Sequence, residues 1–133
     1  MIDHLGISVS DLATSRGFYE AALKPLGINV IMEVTEDMTG GHGAHLGLGR
    51  DGSPFFWIGT GKDASTGVHV AFSVPGTAEV EAFYSAALAA GGKDNGAPGP
   101  RPQYHPGYFG AFVLDPDGNN IEAVFHGAPE AAS

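Results

Sequence analysis

The chain has 133 residues, no cysteine, and a formal net charge of −9 from 6 basic and 15 acidic residues. Disulfides, thiolate metal sites and cysteine nucleophiles are excluded. Without any Lys/Arg cluster, nucleic acid and anionic membrane surfaces are poor partners. Hydrophobic residues make up 43%, with 21 Gly and 9 Pro; this composition fits one soluble domain, residues 1–133, rich in turns and short strands. The opening "MIDHLGISVSDL" has neither a charged n-region nor a long apolar run, so no signal peptide is expected. No window has the length of a membrane span, and a cytoplasmic location is expected. The closing "GAPEAAS" reads as a frayed end.

Apolar alternation predicts a first strand over Ile2–Val9. A helix follows, with Ser10 or Asp11 as N-cap, a buried stripe of Leu12, Tyr19, Leu23 and Leu26, and Pro25 and Gly27 as its stop. Ile28–Val34 reads as a strand, and "EDMTGGHG" as a turn or loop. Ala44–Gly49 and Pro54–Gly59 read as a hairpin closed by "RDGS". After "TGKDAST", Gly67–Val74 is a strand, and Thr77 is the expected N-cap of a second helix burying Val80, Phe83, Tyr84, Ala87 and Leu88. "KDNGAPGPRPQYHPG" reads mainly as a long loop, of a kind that often carries function. Tyr108–Leu114 and Asn119–Phe125 are the last two strands, joined by "DPDGN".

Each half therefore reads strand, helix, strand, strand, strand. "HLGISVSDLATSRGFY" from His4 matches "HVAFSVPGTAEVEAFY" from His69 at a constant offset, pairing Ser8 with Ser73, Val9 with Val74, Phe18 with Phe83 and Tyr19 with Tyr84. This is a duplicated βαβββ module, module one over 1–60 and module two over 67–126.

Both opening strands place a histidine, His4 or His69, on a face otherwise made of Gly, Ala and Ser. The opposite face is apolar and suited to packing under a helix. Pseudo-symmetry can turn the two histidines toward each other. In the last strand, Glu122 stands between apolar neighbours, where a carboxylate is costly unless paired or bound to a cation. His4, His69 and Glu122 form a 2-His-1-carboxylate set suited to a divalent Fe, Mn, Zn, Ni or Co ion with positions left open.

The segments "DHLGISVSDLATSRGFYEAAL", "GVHVAFSV" and "GAFVLDPDGNNIEAVFH" resemble the vicinal oxygen chelate superfamily, the glyoxalase, bleomycin-resistance and extradiol-dioxygenase group. The resemblance spans almost the whole chain. It implies an α+β fold in which two tandem βαβββ modules form a cup-shaped, partly closed sheet. It also implies a metal held by His4, His69 and Glu122, a small-molecule substrate with two adjacent oxygens, and a homodimer whose cup is sometimes shared between chains. Glyoxalase I has a fourth ligand, a glutamate. The repeat offset maps that position to Trp57, and alignment of the two Asp-Gly turns maps it to Phe56. Neither can ligate a metal or take a proton, which disfavours lactoylglutathione lyase activity. A dioxygenase, lyase, isomerase or thiol transferase is expected instead, the alternative being a metal-free protein that sequesters an aromatic molecule.

Tyr108 and His105, just before the seventh strand, are candidate acid–base groups, as is Glu122 itself, with Tyr104 a candidate substrate contact. His45, on a strand with Gly47 and Gly49, is a further substrate candidate, and Phe56 or Trp57 is expected to wall the cup. Arg101, in the long loop, can reach a carboxylate or phosphonate. His42 and His126 are read as solvated.

Overall fold

The computed structural model describes residues 1–127; beyond Gly127 the reading of the tail lies outside the described residues. The first half contains β1 (Leu5–Ser8), α1 (Leu12–Leu23), a 3-10 turn (Lys24–Leu26), β2 (Asn29–Val34), a single helical turn α2 (Glu36–Thr39), β3 (His45–Arg50) and β4 (Ser53–Gly59). The second contains β5 (His69–Ser73), α3 (Thr77–Ala89), β6 (Lys93–Pro100), β7 (Phe109–Leu114) and β8 (Asn120–Phe125). The strands form two four-stranded sheets, ordered β1-β4-β3-β2 and β5-β8-β7-β6. In each, the first and last strands of the half pair in parallel and the others antiparallel. The fold is α+β and repeats strand for strand. The two sheets remain separate and are not closed into a barrel. No helix among the described residues is long and apolar enough to cross a membrane.

Local chemistry explains the boundaries. Asp11 caps α1 by accepting from Thr14 N at 2.9 Å, and Gly27 ends the following turn at φ +75°, a conformation that favours glycine. Gly76, not Thr77, is the N-cap of α3; its extended backbone brings Thr77 in as the first helical residue, with no side-chain cap bond. Asp51 and Gly52, both at positive φ, form the tight turn of the first hairpin.

The segment expected to be mainly loop contains a complete edge strand, β6. Its ladder with β7 slips between Asp94 and Gly96 and again between Gly96 and Gly99. An edge strand tolerates Pro98 and Pro100 because it needs hydrogen bonds on one side only.

One core serves both halves. Strand residues Ile7, Val70 and Phe72 point inward, α1 contributes Phe18, Tyr19 and Leu23, and α3 contributes Val80, Phe83 and Ala87. The two helices pack against each other. An edge-to-face series runs from Phe18 to Tyr19 to Phe56 to Phe72, crossing from one half into the other. Burying each ring contributes about 2–3 kcal/mol by removing its apolar surface from water. The Tyr19 hydroxyl donates to Asp115, whose other oxygen accepts from Asp117 N at 2.9 Å and Asn119 N at 2.8 Å. Asn119 in turn donates to Ser65 O at 3.0 Å and accepts from Val68 N at 3.1 Å. The "DPDGN" turn is thereby tied to helix α1 and to the segment between the two sheets.

Candidate metal centre and substrate face

Glu122 is the best-defined element of the site. It is 1% exposed, yet it lies on the polar face of β8. Register explains the placement, because β8 pairs Ala71 with Glu122 and Phe112 with Glu122. Small residues on β5 and Gly110 on β7 leave the carboxylate its space. A Cβ at Gly110 would stand 3.1 Å from Glu122 Oε2 and 3.2 Å from Tyr108 Cε1.

The carboxylate is held on both sides. Its Oε1 is 2.9 Å from His69 Nε2, and its Oε2 accepts a short hydrogen bond from the Tyr108 hydroxyl. Burial first, and then this bond to Glu122, push the Tyr108 phenol well above its ordinary value near 10. Tyr108 is thus a hydrogen-bond donor at neutral pH. Two donors in cis positions on a metal with bonds of about 2.0–2.2 Å stand about 3 Å apart, and the 2.9 Å between His69 and Glu122 matches that spacing. This pair fits a divalent metal as two of its ligands.

His4 lies elsewhere. It precedes β1, is exposed, and its Nδ1 is 2.7 Å from Asp3 Oδ2. Among the described residues no three His, Cys, Asp or Glu side chains converge as a metal-binding group. The sequence trio is therefore split within one chain, His69 and Glu122 on one sheet and His4 on the other. The two halves join through α1, α3 and the apolar sheet faces, and the pocket between them gathers His4 with Ala71 and Ser73 of β5 but neither His69 nor Glu122.

The face that carries His4 is built on glycine. Parallel register sets Gly6 beside Trp57 and Ser8 beside Gly59, while β3 sets Gly47 beside Trp57 and His45 beside Gly59. A Cβ at Gly47 would come within 2.9 Å of the Trp57 indole, and one at Gly59 within 1.9 Å of His45 Nδ1. The glycines allow both rings to lie flat on the sheet. A shallow concavity gathers His4, Gly6, Val34, His45 and Trp57. A neighbouring one adds Ser8, His42, Thr60 and Lys62.

Trp57 thus occupies the position equivalent to Glu122, since Gly6 pairs with Trp57 as Ala71 pairs with Glu122. Phe56 points the other way and is 1% exposed in the core, against Tyr19 and Phe72. Tyr104 is exposed and packs against Tyr108 with centroids 4.8 Å apart and the rings tilted by 55°. His105 accepts from Gly107 N at 3.1 Å through Nδ1, and its Nε2 is 2.9 Å from His126 Nδ1. The backbone bond to Nδ1 leaves the proton of a neutral His105 on Nε2, where it donates to His126. The loop before β7 is thereby pinned to the end of β8. His42 and His126 are exposed, and His126 carries this second partner, which no spacing in the sequence signals. Phe112 and Asn120 share the face of Glu122, Phe112 as its cross-strand partner and Asn120 two residues before it on β8.

A family model described as Glyoxalase/Bleomycin resistance protein/Dioxygenase superfamily matches residues 1–123. No curated protein gives a significant match. Among solved structures, a glyoxalase/bleomycin resistance protein from Albidiferax ferrireducens T118 is 28% identical, with a TM-score of 0.74, over 92% of this chain and 96% of that one. Glyoxalase I from Zea mays is 19% identical with a TM-score of 0.72, over 96% of this chain and 45% of that one. The chain therefore spans somewhat under half the length of the maize protein. A glyoxalase-related enzyme from Fulvimarina pelagi is 21% identical with a TM-score of 0.66, over 94% of this chain and 87% of that one. The last two likenesses concern the fold alone.

Proposed function

This chain belongs to the Glyoxalase/Bleomycin resistance protein/Dioxygenase superfamily, and we propose that it is a divalent-metal-dependent enzyme acting on a small molecule with two adjacent oxygen atoms. In this reading His69 and Glu122 of one chain and the partner subunit's His4 hold the metal in a homodimer. Fe, Mn, Zn, Ni and Co are the candidate ions. The observation that carries the reading is the buried Glu122 carboxylate, 2.9 Å from His69 Nε2. A carboxylate so placed costs stability unless a cation or strong donors compensate it.

Such a metal supplies Lewis-acid stabilisation of developing oxyanion charge. The chain's own groups do the rest. Tyr108 fixes the second oxygen of Glu122, and His105 fixes the loop that carries Tyr108. Trp57 in place of an acid removes a second carboxylate base, which disfavours lactoylglutathione lyase chemistry and leaves dioxygenase, lyase, isomerase or thiol-transferase reactions. Loading the purified protein with each ion and measuring bound metal tests the proposal. Near-stoichiometric uptake that Glu122→Gln and His69→Ala each abolish is the expected result; uptake unaffected by both variants would refute it.

One observation favours a second reading, a metal-free binding protein for an aromatic molecule. Trp57 lies flat over Gly47 and walls the concavity that contains His45. Tight binding of an aromatic ligand that survives chelator treatment and is lost in Trp57→Ala would favour it.

A further inference from the structure

We propose that the pocket next to the His69–Glu122 pair binds a carboxylate of the substrate, which makes the substrate a diacid whose other end carries the adjacent oxygens. This deepens the metal-centre reading and rests on it. The pocket is lined by Asn95, Gly96, Arg101, Tyr104, Phe112 and Asn120. It lies on the face of Glu122, because β8 and β7 pair Glu122 with Phe112, and β5 pairs His69 with Asn120. The Phe112 ring bridges the two places: its centroid is 6.1 Å from that of His69 and 5.5 Å from the Arg101 guanidinium carbon.

Arg101, like Arg50, has no ion pair among the described residues, whereas Arg16 pairs with both Glu20 and Glu33. Its guanidinium is nevertheless fixed. Nη2 donates to Ala97 O at 2.7 Å, Nη1 donates to Pro100 O at 3.3 Å, and the plane rests over Phe112. These bonds use two of its five N–H groups. The others form a positioned fork of the kind that grips a carboxylate.

Two glycines of β6 make the room. A Cβ at Gly96 would stand 3.3 Å from Nη2 and 2.9 Å from the Phe112 ring, and one at Gly99 would stand 3.2 Å from Nη1. Asn120 lines the pocket and makes no side-chain hydrogen bond among the described residues; its Oδ1 is buried without a partner, and its NH2 group is uncommitted. The carboxylates nearby do not compete for Arg101. Glu122 is committed to His69 and Tyr108. Asp94 pairs across the ladder with Val113, whose side chain is in the core, and its Oδ1 accepts from Gly96 N at 2.9 Å.

The test is titration calorimetry of the metal-loaded protein with 2-oxo diacids of increasing length (oxaloacetate, 2-oxoglutarate, 2-oxoadipate), each against the 2-oxo monoacid of equal carbon number. The best diacid is expected to bind at least tenfold tighter than its monoacid, the weight of about one charge-assisted hydrogen bond. Arg101→Gln is expected to erase that preference while leaving monoacid affinity and metal content unchanged. Asn120→Ala, which removes the NH2 donor without adding a charge beside His69 or touching the bonds that hold the loop, is expected to weaken that preference. A diacid preference that survives both variants overturns the proposal, and so does its absence from the wild-type protein. Metal stoichiometry in the same samples separates the two failures: metal bound without a preference removes the Arg101 pocket alone, and no metal bound removes the metal-centre reading as well.

Discussion

Replacing Tyr19 by Phe removes one oxygen atom and tests the tie between the two halves of the fold. Tyr19 is fully buried, packed edge-on against Phe18 and Phe56 with centroids 4.9 and 5.1 Å away. The substitution keeps both ring contacts and leaves no cavity larger than the hydroxyl. What is lost is the hydrogen bond to Asp115, a carboxylate only 4% exposed. Its Oδ2 then keeps only the Asn119 amide, at 3.3 Å. A hydrogen bond to a charged, buried acceptor contributes about 1.5–3 kcal/mol, so Tyr19→Phe should lose about 2 kcal/mol, or roughly 6–8 °C in Tm.

The tie also has a pH signature. Burial, and then Asp115, raise the Tyr19 phenol far above its ordinary value near 10. The unfolded chain releases that proton near pH 10 while the folded chain keeps it, so this contribution is full below pH 10 and declines as pH rises further. Urea unfolding of both proteins from pH 7 to pH 11 should show a gap that narrows at the alkaline end. A difference below about 0.5 kcal/mol at pH 7, or a gap independent of pH, would refute the assignment of this hydrogen bond as the inter-module tie.

Three other outcomes are expected. Gly49→Ala should cost about 3 kcal/mol or more, because its Cβ would fall 1.9 Å from the Ser53 carbonyl oxygen and 2.8 Å from Pro54 Cα. For Gly59→Ala the three nearest atoms all belong to the His45 ring, a side chain and not backbone. That substitution should cost under about 1 kcal/mol while moving the His45 imidazole resonances; equal urea midpoints for the two variants would contradict the distinction. Tyr108→Phe leaves the buried Glu122 short of a donor and should lower the stability of the metal-free protein by about 1–2 kcal/mol, read by urea unfolding in chelator, with unchanged stability as the contrary result.

The duplication was legible because it rests on side-chain pattern. The matched stretches from His4 and His69 carry both opening strands, both helices and both polar faces in their side-chain pattern. The choice between Trp57 and Phe56 was not legible, since a shift of one residue exchanges the two faces of a strand and the two alignments differ by that one residue. Strand β6 was hidden for another reason. Its "KDNGAPGP" sequence has no alternation, because β7 holds it by backbone bonds interrupted at two irregularities. The separation of His4 from His69 was beyond the sequence too. Symmetry relates the two strands, but whether their polar faces meet depends on how the helices and apolar faces pack.

The central claim is that a metal is held by His69 and Glu122 of one chain and the partner subunit's His4. The most direct measurement is the metal content of a mixed dimer. His4→Ala and Glu122→Gln chains, each with its own affinity tag, would be co-expressed and the heterodimer isolated through both tags. Each variant alone should bind almost no metal. In the heterodimer one site carries both lesions and the other carries none, so the account predicts about half the wild-type metal content. A heterodimer as empty as the two parent variants would show that the three residues never meet across subunits, and would contradict the account.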